Sequence, residues 1–513
     1  MQIRTPEAHA EPARVRVTTP TLRIVLLAAA ITALQLQPAA AWPGGSQPRK
    51  SVVKIYVTQQ RSDYAAPWQS SNPMTGNGSG FIIAKRRILT NAHVVSDARF
   101  LEAQREGDPR KYPAEVEFVA HDCDLAILRV SDPAFFVGSE PLDFGAALPQ
   151  LNDEVTVLGY PMGGVRLSIT KGVVSRVDYS RYSHSGVDSR LVLQVDAAIN
   201  HGNSGGPVLF KGRVIGVAFQ GLLSAQNIGY CIPMPVIRHF LDDVSDGHYH
   251  GYPELGIAYL DTRNTAMRAS LSLPGNDSGV VVYYVDPFGS AKGYLQPRDV
   301  LLSIDGHPIA SDGSILLDGT PVEFVELLER KQWGQDVVFG VWRDGAQRTI
   351  TAPLRNPADP FIFRQSYDER PEYLIVGGLV FSPLSRDYLQ TLGPRLGDRS
   401  NHPLLYDSQY AKIDQLYADR DQFIVLIRRL PHPINSYYED FVQDVVTEAN
   451  GVRIQNMAGL KAALAKPVNG FHIFHFEGQH DFLVLDAQSA QKADAEILER
   501  YGVPAAEFLE PKP

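Results

Sequence analysis

The sequence predicts a mainly β protein, with an all-β barrel or sandwich domain followed by two α+β units. Three observations carry this. From Ser51 to about Pro235 short apolar runs recur between glycines with almost no helical periodicity, the signature of many short strands. From about Gly251 to Leu354 strands alternate with one amphipathic helix, and from about Pro360 to Leu485 the same plan repeats loosely. The 513 residues, at about 100–200 per domain, leave room for about three domains.

In the first domain the predicted strands are Ser51–Gln59, Gly80–Ala84, Ala114–Phe118, Leu125–Val130, Glu154–Gly159, Leu191–Val195, Val208–Phe210 and Val214–Phe219, closed by an amphipathic helix over Val236–Val244. A helix over Val322–Gln332 is expected because Val322, Val325 and Leu328 fall three apart. In the third unit a helix is expected at Met457–Leu464, after the turn Asn450-Gly451. A last one over Ala487–Tyr501 stops before Gly502 and Pro504, as helix ends do. The resulting boundaries are 51–245, 251–355 and 360–486, with 487–513 as a C-terminal helix and tail.

The N-terminus reads as an address. Arg14, Arg16 and Arg23 precede an apolar run from Ile24 to about Leu34, and Ala39-Ala40-Ala41 closes it; these are the parts of a secretory signal peptide, 1–41. The run is too short to span a bilayer, so the expectation is export, to a bacterial periplasm, with a linker at 42–50 and no stable membrane span. Net charge is -9 with pI near 5.9, and no basic run interleaved with aromatics occurs, which argues against nucleic acid as a partner. Cys123 and Cys231 are the two cysteines; buried thiols and one disulfide are both open.

Three stretches carry chemistry. Thr90-Asn91-Ala92-His93-Val94-Val95 puts a histidine just after a strand. Asp122-Cys123-Asp124-Leu125 puts an aspartate at a strand's head. Gly202-Asn203-Ser204-Gly205-Gly206-Pro207 puts a serine in a glycine-rich turn. A serine hydroxyl needs a base to become a nucleophile; histidine titrates in the right range; a carboxylate holds the imidazole in the right tautomer. The glycines let the amides of Gly202 and Ser204 converge on a developing oxyanion. The order His, Asp, Ser is that of chymotrypsin, which on a strand-rich segment points to a double β-barrel protease.

These stretches, with Gly78-Ser79-Gly80-Phe81, Asp124-Leu125-Ala126-Ile127-Leu128 and Ile169-Thr170-Lys171-Gly172-Val173-Val174-Ser175, resemble the HtrA/Deg serine proteases. The resemblance implies a chymotrypsin-like double barrel followed by two PDZ-like domains, with His93 as base, Asp124 rather than Asp122 as its orienter, and Ser204 as nucleophile. His121 then has no special role. Glu254-Leu255-Gly256-Ile257 resembles a PDZ carboxylate-binding loop, so Leu255, Gly256 and Ile257 are expected to receive a peptide C-terminus that adds as a strand. Leu295-Gln296-Pro297-Arg298-Asp299-Val300-Leu301 resembles a later PDZ turn, with Arg298 where the family usually has glycine. Gly377-Gly378-Leu379-Val380 and the tail around Asn450-Gly451 resemble the second PDZ-like domain of plant-type Deg proteases. The family implies an ATP-independent endopeptidase for unfolded or damaged exported proteins, assembled as a trimer or a multiple of it, with Tyr64 and Trp68 in Gln60–Asn77 as candidate contacts.

No cofactor or metal is expected. His472, His475 and His480 lie in an aromatic strand, and His248 and His250 in a hinge. Six residues before the nucleophile stands Ala198, so a pocket walled by Asp196–Asn200 and Gln220–Ile228 is expected to take a small or medium aliphatic side chain. Competing expectations are a chaperone or PDZ adaptor with minor proteolysis, and a processing enzyme for one substrate.

Overall fold

The computed structural model describes residues 48–146, 148–164, 166–221, 228–274, 277–317, 319–355, 364–397, 402–477 and 481–509. The expected signal segment, the linker as far as residue 47, and His480 lie outside these residues.

Two closed six-stranded barrels form the first domain. The first contains β1 (Val52–Gln59), β2 (Met74–Ile83), β3 (Arg87–Thr90), β4 (Ala98–Arg105), β5 (Tyr112–Ala120) and β6 (Leu125–Val130), in the order β1-β2-β3-β6-β5-β4. A one-turn helix, α1 (Ala92–Val95), interrupts the path from β3 to β4. The second contains β7 (Glu154–Gly159), β8 (Ser168–Arg181), β9 (Ser189–Val195), β10 (Pro207–Phe210), β11 (Arg213–Gly221) and β12 (Gly229–Pro233), in the order β10-β11-β12-β9-β8-β7. Alternate residues face inward, so Val53, Ile55 and Val57 of β1 meet Ile88 and Leu128 in one core. Val155, Val157, Leu193 and Val208 fill the other. Helix α2 (Met234–Asp243) closes the domain. Cys123 and Cys231 are both free thiols, fully buried, and burial pushes each of them up.

The second unit contains β13 (Ile257–Asp261), α3 (Thr265–Ser270), β14 (Val280–Val285), β15 (Val300–Ile304), β16 (His307–Pro308), a two-stranded ribbon of β17 (Ser314–Leu317) and β18 (Thr320–Glu323), α4 (Val325–Glu329), β19 (Asp336–Arg343) and β20 (Ala346–Pro353). Strand β13 lies at the edge of its sheet, paired with β14 alone. The helix expected over Val322–Gln332 is shorter than that. Val322 belongs to β18, paired with Ile315, and only Val325–Glu329 is helical. The three-residue spacing spans one strand residue and two helix residues, of which Val322 and Leu328 are buried. Arg298 takes φ +78, the left-handed backbone for which glycine is the usual choice.

The third unit repeats the plan with additions: β21 (Tyr373–Val376), β22 (Leu379–Pro383), α5 (Arg386–Leu392), α6 (His402–Tyr410), β23 (Ile424–Arg429), β24 (Val445–Ala449), β25 (Val452–Arg453), α7 (Met457–Leu464), β26 (Phe471–Glu477), β27 (Phe482–Asp486), α8 (Ala487–Tyr501) and β28 (Glu507–Phe508). By connectivity β22 is the counterpart of the edge strand β13, and α7 of α4. Here that edge is filled. β21 pairs antiparallel with β22 through a two-residue turn, Gly377-Gly378, both residues at positive φ, as a tight hairpin requires. β28 pairs beyond it. Leu374 of β21 shares a core with Met457 and Leu460 of α7. The C-terminal helix α8 is part of this unit, burying Ala490, Ala493 and Ile497.

Candidate active site

His93 and Asp124 meet on the first barrel, and the Ser204 loop is tied to that barrel through Ser79. His93 sits on α1. Its Nδ1–H donates to Asp124 Oδ2 at 2.7 Å, and its backbone N–H donates to Oδ1 at 2.8 Å. Asp124 heads β6 with φ +54 and is 1% exposed; the Asn91 amide holds its carbonyl at 2.8 Å. Burial alone raises the Asp124 carboxyl, but the charge and hydrogen bonds of His93 reverse this and hold it low. Burial likewise lowers His93, and the Asp124 charge and hydrogen bond outweigh it, so the imidazole ends above its ordinary 6.5. Asp122, the rival carboxylate, faces elsewhere: it accepts from the Tyr249 hydroxyl at 2.5 Å and lies 3.9 Å from Arg190.

Ser204 follows a turn in which the Asn203 N–H donates to the Asn200 carbonyl at 3.0 Å, with Gly202 at φ +96. Positive φ at the third residue is the mark of a type II turn. The His201 carbonyl accepts from the Met162 N–H at 2.7 Å, so across the same trans peptide the Gly202 N–H points the opposite way. Among the described residues neither the Gly202 nor the Ser204 amide has a backbone acceptor. The Ser204 hydroxyl donates to the Phe219 carbonyl at 3.3 Å, and no Ser204–His93 hydrogen bond forms among the described residues.

Glycine is required here by close approach. A Cβ on Gly205 would lie 2.0 Å from the Ser79 carbonyl, and one on Gly206 would lie 2.1 Å from that of Leu158. Ser79 is a brace that sequence reasoning passed over except as part of a motif. Fully buried, its hydroxyl donates to the Gly202 carbonyl at 2.6 Å and accepts from the Tyr160 N–H at 2.8 Å. Its N–H donates to the Ser204 carbonyl at 2.8 Å. One residue of β2 thus ties the serine loop to both barrels. Ala198 and Ile199 follow β9, and Asp196 accepts from the Val173 N–H at 2.6 Å. Of the other expected pocket wall, 222–227 lie outside the described residues.

Two clusters had no sequence signal, because their members lie far apart in the chain. The imidazole of His184, on the β8–β9 connection, is 6.2 Å from that of His93. Arg190 on β9 is buried against the second unit, pairing with Glu329 of α4 at 2.8 Å and lying over the Tyr252 ring at 3.9 Å.

In the second unit, Gly256 has φ +68 and presses on Gly289, so a Cβ there would meet Gly289 Cα at 2.4 Å. The carbonyls of Leu255 and Gly256 accept from the Ala291 and Asp286 amides at 2.9 and 2.7 Å. Among the described residues the Leu255 and Gly256 N–H groups have no backbone acceptor, and Ile257 opens the edge strand β13. His472 is buried against Asn450 at 3.4 Å, His475 lies 3.5 Å from Asp481, and His250 pairs with Asp246 at 2.9 Å. Among the described residues no group of three His, Cys, Asp or Glu side chains is arranged to hold a metal ion. No helix among them is long and apolar enough to cross a membrane.

The double barrel and its downstream units define a trypsin-like serine endopeptidase carrying PDZ domains: residues 78–217 match a trypsin-like peptidase domain, and 253–354 and 362–507 match two PDZ domains. Protease Do-like 2, chloroplastic, of Arabidopsis thaliana is 37% identical over 90% of this chain and 76% of its own. Protease Do-like 4, mitochondrial, of the same plant is 35% identical over 89% of this chain and 84% of its own. The chain belongs to the Do-like (Deg/HtrA) family of serine proteases. Among solved structures, an HtrA-type protease, AlgW with decapeptide, is 25% identical and covers 60% of this chain and 95% of its own, with a TM-score of 0.46.

Proposed function

We propose that this endopeptidase degrades unfolded or damaged exported proteins through an acyl-enzyme, without ATP. The observation that carries the reading is the two-point grip of Asp124 on His93, at 2.7 and 2.8 Å. Nδ1–H bound to a carboxylate leaves Nε2 as the lone-pair nitrogen, the form that accepts a proton. Ser204 Oγ leaves Phe219, gives its proton to Nε2 and attacks the scissile carbonyl. The Gly202 and Ser204 amides bind the oxyanion, and His93 then protonates the departing amine. With Ala198 and Ile199 beside the serine loop, the side chain preceding the cut is small or medium and aliphatic. A substrate C-terminus docks on the Leu255 and Gly256 amides and extends along Ile257 and the β13 edge.

Export to a periplasm and assembly as a trimer or multiple of trimers complete the proposal. The bond from Ser204 to Phe219 supports a resting enzyme whose nucleophile engages on substrate arrival. Digestion of casein by the wild type and by Ser204→Ala tests it. The wild type is expected to degrade the substrate and the variant to leave it intact, and equal degradation would falsify the assignment.

A further inference from the structure

Residues 364–372, which lead into the third unit, cross the first domain beside His93. Arg364 donates to Asp188 at 2.7 Å, the Tyr367 hydroxyl donates to the His184 carbonyl at 2.7 Å, and the Asp368 N–H donates to Asp97 Oδ1 at 3.1 Å. The Asp97 N–H returns a bond to Asp368. Arg386 of α5 grips the same β8–β9 connection through the Ser185 carbonyl at 3.0 Å. Under the Tyr367 ring lie two imidazoles, His184 at 4.2 Å and His121 at 4.6 Å, both stacked on it. Those imidazoles are joined nitrogen to nitrogen: His121 Nδ1 and His184 Nε2 are 2.9 Å apart, while His121 Nε2 reaches Asp368 Oδ2 at 3.1 Å.

A nitrogen-to-nitrogen bond needs one lone pair. The pair can hold its bond with both rings neutral, or with one extra proton facing Asp368, because one ring still accepts. With two extra protons, N–H faces N–H, and two like charges share a half-buried site under Tyr367. We propose that segment 364–368 is a latch on the histidine side of the catalytic cleft, closed by the His121–His184 pair and released when both imidazoles are protonated.

The groups facing the pair are His93 from α1, Asp124 from β6, Asp97 and Arg61 from the neighbouring loops, and Tyr367 and Asp368 from the latch itself. Burial, 8% exposure remaining, pushes His184 down to about 4; His121 and His93 add to this, and Asp124 opposes it. The sign follows. A base held below its ordinary 6.5 when docked favours docking fully above 6.5, and that contribution drains away as pH falls from there toward about 4. The proposal concerns docking, so it stands or falls separately from the roles given to Ser204 and His93.

Amide hydrogen exchange on the full chain, normalised to the unfolded chain at each pH, tests it. Between about pH 7.5 and about pH 4.5, protection of residues 364–370 is expected to fall at least about tenfold while that of β23 holds. His184→Gln keeps an N–H toward His121 Nδ1 but does not titrate, and is expected to hold protection within about twofold over the same range. A flat wild-type profile, release in step with β23, or a Gln variant that releases as the wild type does would each overturn the latch. Should the variant not fold, the wild-type contrast between 364–370 and β23 decides alone.

Discussion

Ser204 Oγ and the Phe219 carbonyl are joined by a 3.3 Å hydrogen bond, which occupies the hydroxyl while His93 is held by Asp124. Ser204→Ala removes that single bond, so stability is expected to change by less than about 1 kcal/mol. Activity on a peptide substrate is expected to fall by about 10⁶. Thermal unfolding and kcat read the two effects independently.

As the proposed base His93 must be neutral to accept the serine proton, and its pairing with Asp124 keeps it charged to a higher pH than a free imidazole. The acid limb of kcat/KM is therefore expected on the high side of 6.5, with activity lost as pH falls through it. Asp124→Asn is expected to move that limb down and to lower kcat by about 10⁴ through loss of the tautomer. A pH–rate profile with a fluorogenic peptide reads both, and a wild-type limb below 6.5 would contradict the pairing.

The Gly202 turn tolerates no Cβ, which would meet the Tyr160 carbonyl at 2.4 Å and the Met162 nitrogen at 2.7 Å, both backbone atoms. Gly202→Ala is expected to tilt the peptide proposed to carry the oxyanion donor. The expected loss is about 10²–10³ in kcat, with KM little changed. A loss confined to KM would count against the oxyanion role.

Arg190 balances Glu329, with Asp188 and Asp122 within 3.7 and 3.9 Å. Arg190→Met leaves the buried Glu329 without its cationic partner, and denaturant titration is expected to show about 3–5 kcal/mol lost. Adding Glu329→Leu is expected to restore part of it. No recovery would mean that Arg190 acts through Asp122 and Asp188 alone.

For peptide capture, Gly256→Val drives a side chain into Gly289 at a backbone φ of +68. Fluorescence anisotropy with a labelled peptide ending in an apolar residue is expected to show binding by the wild type and none by this variant. Leu374→Ala in the third unit is expected to leave that binding intact.

Much of this was legible because glycines and strand periodicity leave local marks. β6, β7 and the helices at Met457 and Ala487 fall at the expected residues. Strands β3, Arg87–Thr90, β4 and β8 were not among the expected ones. Helices α5 and α6 lie between β22 and β23, where the second unit has only the short α3, so the repeat gave no measure of their extent. Contacts such as Tyr367 on His184 join residues 183 positions apart, and the Ser204 rotamer depends on a carbonyl in another strand. Neither leaves a trace in any window of sequence.

The hairpin that fills the third unit's groove has an economy of scale built into it. A strand tied to its site by two glycines is present there at an effective concentration in the millimolar range or above, regardless of how many free peptide ends surround the protein. A dissolved peptide with micromolar affinity for such a groove would meet a competitor that never dilutes. Among the described residues β13 of the second unit keeps a free edge, whereas the corresponding edge of β22 is taken by the chain's own β21.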